Sequence, residues 1–355
     1  ARLDTVGGSE GALSNRNLVI NGAMQVSQRG DSTGVTASAY CGPDRFQTIL
    51  SSAGTWSISQ STTNPAGFAN SLKFDCTTAD ASLSAGDYLI LYHKFEGQNL
   101  QHLKKGTADA KKLTLSFWIR SNKTGTYQVN LYDNDNTRNI GKTYTIDTAD
   151  TWEHKTLTFD GDTTGTFNND ANQSMNIEWW FAAGSNYNSG SVPTSWEASS
   201  DPDRAAGLNV NLADSTSNEL YITGVQLEVG DTATDFEHRT YEDEYKKCLR
   251  YYERDYSQKE IISLMAAFST NAAYGEYKYY VRKRATPTIT FQTASNYRLR
   301  IGGNNRTCTS ISSNNANNEN FRLDVNVGSN QTTTGHAGWL SRLTGDTFIE
   351  LDAEL

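Results

Sequence analysis

Short runs in which apolar and polar residues alternate recur along most of the chain. "TWSISQ" alternates at Trp56 and Ile58, and "SLKFDC" puts Leu72, Phe74 and Cys76 on one face. "KLTLSFWIRS" does the same with Leu113, Leu115, Phe117 and Ile119, and "TYQVNLYDND" with Tyr127, Val129 and Leu131. "MNIEWWFAAG" aligns Met175, Ile177, Trp179 and Phe181. Period-two alternation predicts strands with one buried face. Many such runs separated by polar turns predict an antiparallel sandwich or jelly roll. "EGQNLQHLKKG" reads as a short helical turn.

The pattern changes in "GVQLEVGDTATDFEHRTYEDEYKKCLRYYERDY" (224–256). It opens as a strand through Val225, Leu227 and Val229, then becomes dense in charge and tyrosine. Thr240 and Asp243 form a capping pair. Tyr241, Tyr245, Cys248, Leu249 and Tyr252 then fall on one stripe of a three-turn helix. Acidic residues precede basic ones along it, which suits the helix dipole. This helix either packs on its own domain or brings copies of the chain together through Tyr241, Tyr245, Leu249 and Tyr252. Alternation resumes after residue 257 in "YGEYKYYVRKR", "TPTITF", "YRLRIGG" and "FRLDVNVGS". The final "TFIELDAEL" puts Ile349, Leu351, Ala353 and Leu355 on one face, so the last strand is expected to pack to its end. The expected organisation is a linker over 1–15, a jelly roll over 16–236, a helical junction over 237–256 and a smaller β-sandwich over 257–355. The fold class is therefore all-β.

Composition adds constraints. The 355 residues could bury more than one core, and the net charge of −9 argues against a general nucleic-acid binder. No apolar run reaches transmembrane length, so no membrane insertion is expected. The first residues, "ARLDTVGGSEGALSN", hold no apolar signal-peptide core and no initiator Met, which leaves processing from a longer chain open. Cys41, Cys76, Cys248 and Cys308 are widely spaced, with no CxxC pair, and read as free thiols of a reducing compartment. No zinc spacing and no cofactor motif is present.

On the non-core face of three strands, the same alternation places Trp118 with Arg120, Asn130 with Tyr132, and Glu178 with Trp180. Flat rings stack on the C–H faces of sugars, while amide and charged groups meet the hydroxyls. These six residues are the candidate glycan site, expected to line one surface. The competing reading is that loops or a neighbouring subunit cover the face. Glu178 could serve as a glycosidase carboxylate, but no second carboxylate is placed for it, and His154 reads as an ordinary strand histidine. "YDNDNTRN" resembles the opening of a calcium loop, yet Arg138 stands where glycine is expected, so it reads as a polar hairpin turn.

"RNLVINGAMQVSQRG" (16–30), "PDRF" (43–46), "LTLSFWIRSNKTGTYQVNLYD" (113–133), "TWEHKTLTF" (151–159) and the 224–253 stretch together resemble tail-fibre and receptor-binding proteins of tailed bacteriophages. "RATPTI" and "FIELDAEL" are similar to the tip domains of the same proteins. The resemblance implies a jelly roll like a carbohydrate-binding module, a helical junction and a C-terminal β-sandwich, trimeric about a fibre axis. The implied partners are two further copies of the chain, other virion tail proteins and a host surface polysaccharide or other receptor. Such first strands often accompany a structural calcium, for which no ligand set is readable here. The expected function is non-enzymatic host recognition by a virion fibre assembled in the host cytoplasm. A glycan-degrading tailspike enzyme and a purely structural virion decoration are the alternatives.

Overall fold

The computed structural model describes residues 15–255, 261–343 and 347–355. The chain divides into two compact units, Ala1–Tyr245 with Leu355, and Lys246–Glu354. Among the described residues, no helix is long and apolar enough to cross a membrane.

The first unit contains β1 (Ser32–Tyr40), β2 (Phe46–Ser61), β3 (Ser71–Thr78), β4 (Tyr88–Glu96), β5 (Leu113–Ser121), β6 (Gly125–Asp133), β7 (Arg138–Ile146), β8 (Glu153–Phe159), β9 (Gln173–Ala183), β10 (Glu197–Ala198) and β11 (Glu219–Val229). Two short 3₁₀ turns, Gly97–Asn99 and Gln101–Leu103, occupy the expected helical turn. The hydrogen-bonded order is β10-β7-β6-β9-β4-β2-β3-β11-β5-β8, with β1 alongside β2. All pairings are antiparallel.

The length of β2 makes this path a sandwich. Its first half pairs with β4 and its second half with β3, with a register break at Ser51/Ser52. Ser52 and Gly54 there have φ of 52° and 77°. A Cβ on Gly54 would lie 2.7 Å from the Thr78 carbonyl oxygen, so the bend requires glycine. The bend folds β10-β7-β6-β9-β4 and the start of β2 (layer A) over the end of β2 with β3-β11-β5-β8 (layer B). Their inner faces meet edge to face: Phe117 of β5 packs on Trp179 of β9 with ring centres 5.9 Å apart, and Phe74 on Phe181 at 5.4 Å. The inward residues expected from alternation are buried here, except Val229 at the end of β11, which is half-buried. The architecture is an all-β jelly roll.

Polar staples explain the remaining patterned stretches. Asn17 accepts from the N–H groups of Val19 and Leu227 and donates to the Val225 carbonyl, substituting for ladder bonds. Asn21 bridges the Val26 and Asp44 carbonyls. In 224–256, Glu228 accepts from Thr234, and Arg239 pairs with Glu237 and Glu244. These charged groups fasten one part of the segment to another within the chain. In the β6–β7 turn, Asp133 Oδ1 accepts from the N–H groups of Asp135 and Asn136. Asp133 Oδ2 lies 2.5 Å from Lys105 Nζ, so the stretch is a hairpin turn closed by a lysine.

The helix spans Tyr241–Leu249 and carries the expected cap: the Asp243 N–H donates to Thr240 Oγ1, whose hydroxyl donates to Asp243. It is shorter than the stripe predicted. Tyr252 instead starts a strand and pairs with Asp352. Leu249 and Tyr252 are buried within the chain, while Tyr241 of the expected copy-contacting stripe is exposed and Tyr245 is half-buried, their rings stacked 5.9 Å apart.

In the second unit, β12 (Tyr252–Asp255), β15 (Thr288–Phe291) and β21 (Ile349–Asp352) form a three-stranded sheet with β21 in the middle. A second sheet contains β13 (Ser263–Ala267), β14 (Ala272–Lys278), β16 (Tyr297–Ile301), β17 (Asn304–Thr307), β18 (Ser310–Asn314), β19 (Asn320–Asn326) and β20 (Ala337–Arg342), in the order β17-β16-β20-β13-β14-β19-β18. One core, including Tyr297, Leu299, Phe321, Leu323, Leu340, Ile349 and Leu351, lies between them. Ile349, Leu351 and Ala353 are buried as alternation predicts, whereas the strand ends at Asp352 and Leu355 is half-buried. All four cysteines are buried and unbridged.

Candidate functional site

The six predicted residues do not share a surface. Phe117 and Trp179 face each other across the core, so their neighbours Trp118 and Trp180 point outward from opposite layers. Alternation assigns each ring its side of a strand correctly. It is silent on which layer each strand joins, and that is where the single-surface expectation fails.

Asn130, Tyr132, Glu178 and Trp180 lie on the outer face of layer A. That face is covered by the chain itself, through the segment after β9 that contains the short helix Ser185–Asn188 and the turn Asp201–Asp203. Arg204 is its anchor. Its guanidinium sits 2.9 Å from Glu178 Oε1, donates to the Tyr92 hydroxyl at 2.9 Å, and lies 5.3 Å and 5.2 Å from the Tyr132 and Trp180 ring centres. Asn130 donates to the Arg204 carbonyl, and Gln128 donates to the Asp203 carbonyl while accepting from the Gly207 N–H. Glu178 also accepts from Asn176 and from the Trp180 indole. Trp180 is 0% exposed and Glu178 1%. Burial opposes charge on Arg204, but Glu178 and Tyr92 outweigh it and hold the guanidinium more firmly protonated. Burial, reinforced by the Glu178 charge, raises the Tyr92 phenol well above its ordinary value. This face is an internal lock, and the Glu178 carboxylate is enclosed within it.

Trp118 and Arg120 lie on the outer face of layer B, where both are half-buried. Trp118 pairs in register with His154 on β8 and Thr223 on β11, and Arg120 pairs with Tyr221, which pairs with Lys73 on β3. The result is an aromatic row. The Trp118 and His154 rings are 5.0 Å apart, and those of Trp152 and Tyr221 are 6.3 Å apart. The Arg120 and Lys73 cations lie 5.1 Å and 5.5 Å from the Tyr221 ring centre. Phe68, Phe236 and His238 cluster beside Trp118. Gly224, at φ of 61°, permits that approach: a Cβ there would lie 2.7 Å from Phe68 and 3.0 Å from Trp118. Trp118, Trp152, Phe68 and Phe236 are half-buried and His154 is exposed.

The polar groups of this row are held in place. Arg120 binds the Asp150 carboxylate and carbonyl at 2.9 Å each. Glu219 accepts from Tyr221 at 2.5 Å and lies 2.6 Å from Lys73. Partial burial works against the Lys73 charge, yet the Glu219 bond prevails and pushes its pKa up to about 12. Although His154 reaches solvent, the desolvation it undergoes among its neighbours lowers its imidazole below the ordinary value, favouring the neutral ring. Flat, partly exposed rings beside fixed cation, carboxylate and imidazole groups can stack on a saccharide and hydrogen-bond its hydroxyls. Sequence reading missed Tyr221, Lys73, Phe68 and Phe236. Their row is assembled from four separate stretches, and only the β3-β11-β5-β8 order joins them.

Among the described residues, no group of three or more His, Cys, Asp or Glu side chains is arranged to hold a metal.

No protein-family model matches the chain, and no curated protein sequence matches it either. Solved structures give low-level fold matches. One is the enzymatically active domain of tailspike protein 4 of bacteriophage CBA120, at 11% identity and a TM-score of 0.30, covering 60% of this chain and 21% of that one. Another is the family 11 carbohydrate-binding module of Clostridium thermocellum in complex with a mixed-linked tetrasaccharide, at 10% identity and 0.29, covering 59% and 98%. A third is Clostridium thermocellum endo-1,4-β-D-xylanase 10B complexed with xylohexaose, at 10% identity and 0.29, covering 61% and 29%.

Proposed function

We propose that this chain is a non-enzymatic glycan-recognition protein of a tailed-bacteriophage fibre, and that it works as a homotrimer on the virion. The observation that carries the reading is the open aromatic row on layer B, where Trp118 and Trp152 stand beside Arg120, His154 and Tyr221. The phage assignment rests on the sequence resemblance of residues 16–355. The non-enzymatic reading is supported by Glu178, whose carboxylate is engaged by Arg204, Asn176 and Trp180 under a covering segment.

The test is binding of the full chain to an array of purified bacterial capsular and O-antigen polysaccharides, with reducing ends assayed in parallel. The expected result is binding without release of reducing sugar, weakened about tenfold by Trp118→Ala, or about 1.4 kcal/mol. Release of reducing ends would instead support a tailspike enzyme. Failure to bind any polymer would leave the structural-decoration reading.

A further inference from the structure

The second unit has its own open aromatic surface, built from residues that the first unit does not contain. Along β13, Ser263, Met265 and Ala267 face the core, so Leu264, Ala266 and, just beyond the strand, Phe268 project from the other side. Leu264 is 74% exposed and Phe268 64%. These values are high for large apolar side chains in a folded unit. The strand register shows what surrounds them. Leu264 pairs with Trp339 on β20, and Ala266 pairs with Ala337 on β20 and Tyr274 on β14. Phe268 stacks on Tyr274 with ring centres 4.7 Å apart. Two adjacent alanines therefore form the floor of a trough. Leu264 and Trp339 wall one end, Phe268 walls the other, and Tyr274, directly opposite Ala266 on β14, stands along the side and stacks on Phe268. Leu264 and Phe268 are four residues apart, roughly 13 Å in an extended chain, with Tyr274 between them on the β14 side. Past Leu264 the surface drops into a cleft of about 440 Å³, lined also by Ile261, Glu276, Lys278 and Tyr280. That volume is in the range of small-ligand sites.

Polar groups flank the trough. The exposed Arg300 guanidinium lies 4.9 Å from the Trp339 ring centre and makes no ion pair among the described residues. On the β14 side Arg322 lies 4.6 Å from the Tyr274 ring centre and grips Asp324 at 2.7 Å and 2.9 Å. Asn314 donates to the same carboxylate at 2.6 Å. Here the Trp339 and Tyr274 rings each carry a guanidinium, and carboxylate and amide groups stand fixed on the neighbouring strands. That alternation matches the apolar C–H face and hydroxyl rim of a sugar ring.

We infer that the trough floored by Ala266 and Ala337, together with the cleft beyond Leu264, is a second glycan site that takes a short oligosaccharide segment. It shares its ligand class with the proposed function but stands on separate residues, so the two fail separately.

The experiment compares the full-length chain with Trp118→Ala, Ala266→Trp and the double variant on the same polysaccharide array. Each is also followed by thermal melting and light scattering. Ala266→Trp fills the trough from an exposed position, and Arg300→Ala repeats the test by removing a guanidinium. The expected result is about a tenfold loss of binding in Ala266→Trp and a smaller loss in Arg300→Ala. Melting and assembly mass should be unchanged, and the double variant should lose about a hundredfold. Parent-like binding by Ala266→Trp and Arg300→Ala overturns this site alone, with Trp118→Ala still reporting on the first. A changed assembly mass in Ala266→Trp overturns it in favour of a subunit contact. A parent chain that binds no polymer overturns both readings.

Discussion

Trp179 and Trp180 are neighbours in sequence and both fully buried, for different reasons. Trp179 lies between the two layers, as alternation requires. Trp180 points away from the core and is enclosed by Arg204 and Tyr187 of the covering segment together with Tyr88 of β4. Trp118, on the other layer, also points outward and keeps part of its ring in water. The two outward tryptophans should therefore respond differently to truncation. Trp180→Ala is expected to destabilise the chain by about 3–5 kcal/mol, the usual cost of emptying a large buried side chain. Trp118→Ala should leave the melting temperature almost unchanged while weakening polysaccharide binding. Melting both variants beside binding checks this, and a stable Trp180→Ala protein would show that the covering segment is loose.

At the scale of elements, two pieces hold the units closed. The first is the segment after β9, which makes β9 buried on both faces where alternation alone predicts one. Arg204→Met would leave the Glu178 carboxylate buried without its ion-pair partner, a change that costs about 3–5 kcal/mol. Urea unfolding should show that loss, and Glu178→Gln added to Arg204→Met should recover part of it. The second piece is β21, which pairs with β12 on one side and β15 on the other. Deleting 347–355 removes the middle strand of that sheet with Ile349, Leu351 and Ala353. The two larger side chains alone contribute roughly 1.5–3 kcal/mol each, against a typical domain stability of about 5–15 kcal/mol. The second unit should then unfold while the first keeps its transition. Unchanged melting of the truncated chain would show that the last strand is dispensable.

For the whole molecule the open question is assembly. The exposed Tyr241 ring stacked on Tyr245 keeps a small aromatic surface on the helix, although Leu249 and Tyr252 have been drawn into the chain's own core. The proposed homotrimer should scatter light as three times 39.2 kDa. A chain that stays at one copy at micromolar concentration would remove the trimer from the proposal. It would leave both proposed glycan sites to be tested on their own, since each is argued from residues of one chain.

Alternation along β2, β3, β5, β6 and β9 was enough to read the strands, their buried faces and the all-β class, because a strand's side-chain period is fixed by its backbone. Thr240 and Asp243 likewise marked the helix start, because a cap is a local hydrogen bond within four residues. The helix end was not legible. Whether Arg250–Tyr252 continues the helix or starts a strand depends on Asp352, a hundred residues away, offering a partner. The candidate site was half legible for the same reason. Sequence put Trp118, Tyr132 and Trp180 on the outward side of their strands, which is a local property. Which layer each strand joins, and whether a distant segment lies across it, is set by the bend of β2 and by Arg204 reaching Glu178. Those are long-range contacts, chosen by packing and charge pairing in the folded chain, and they decided that one aromatic face became a lock and the other stayed open.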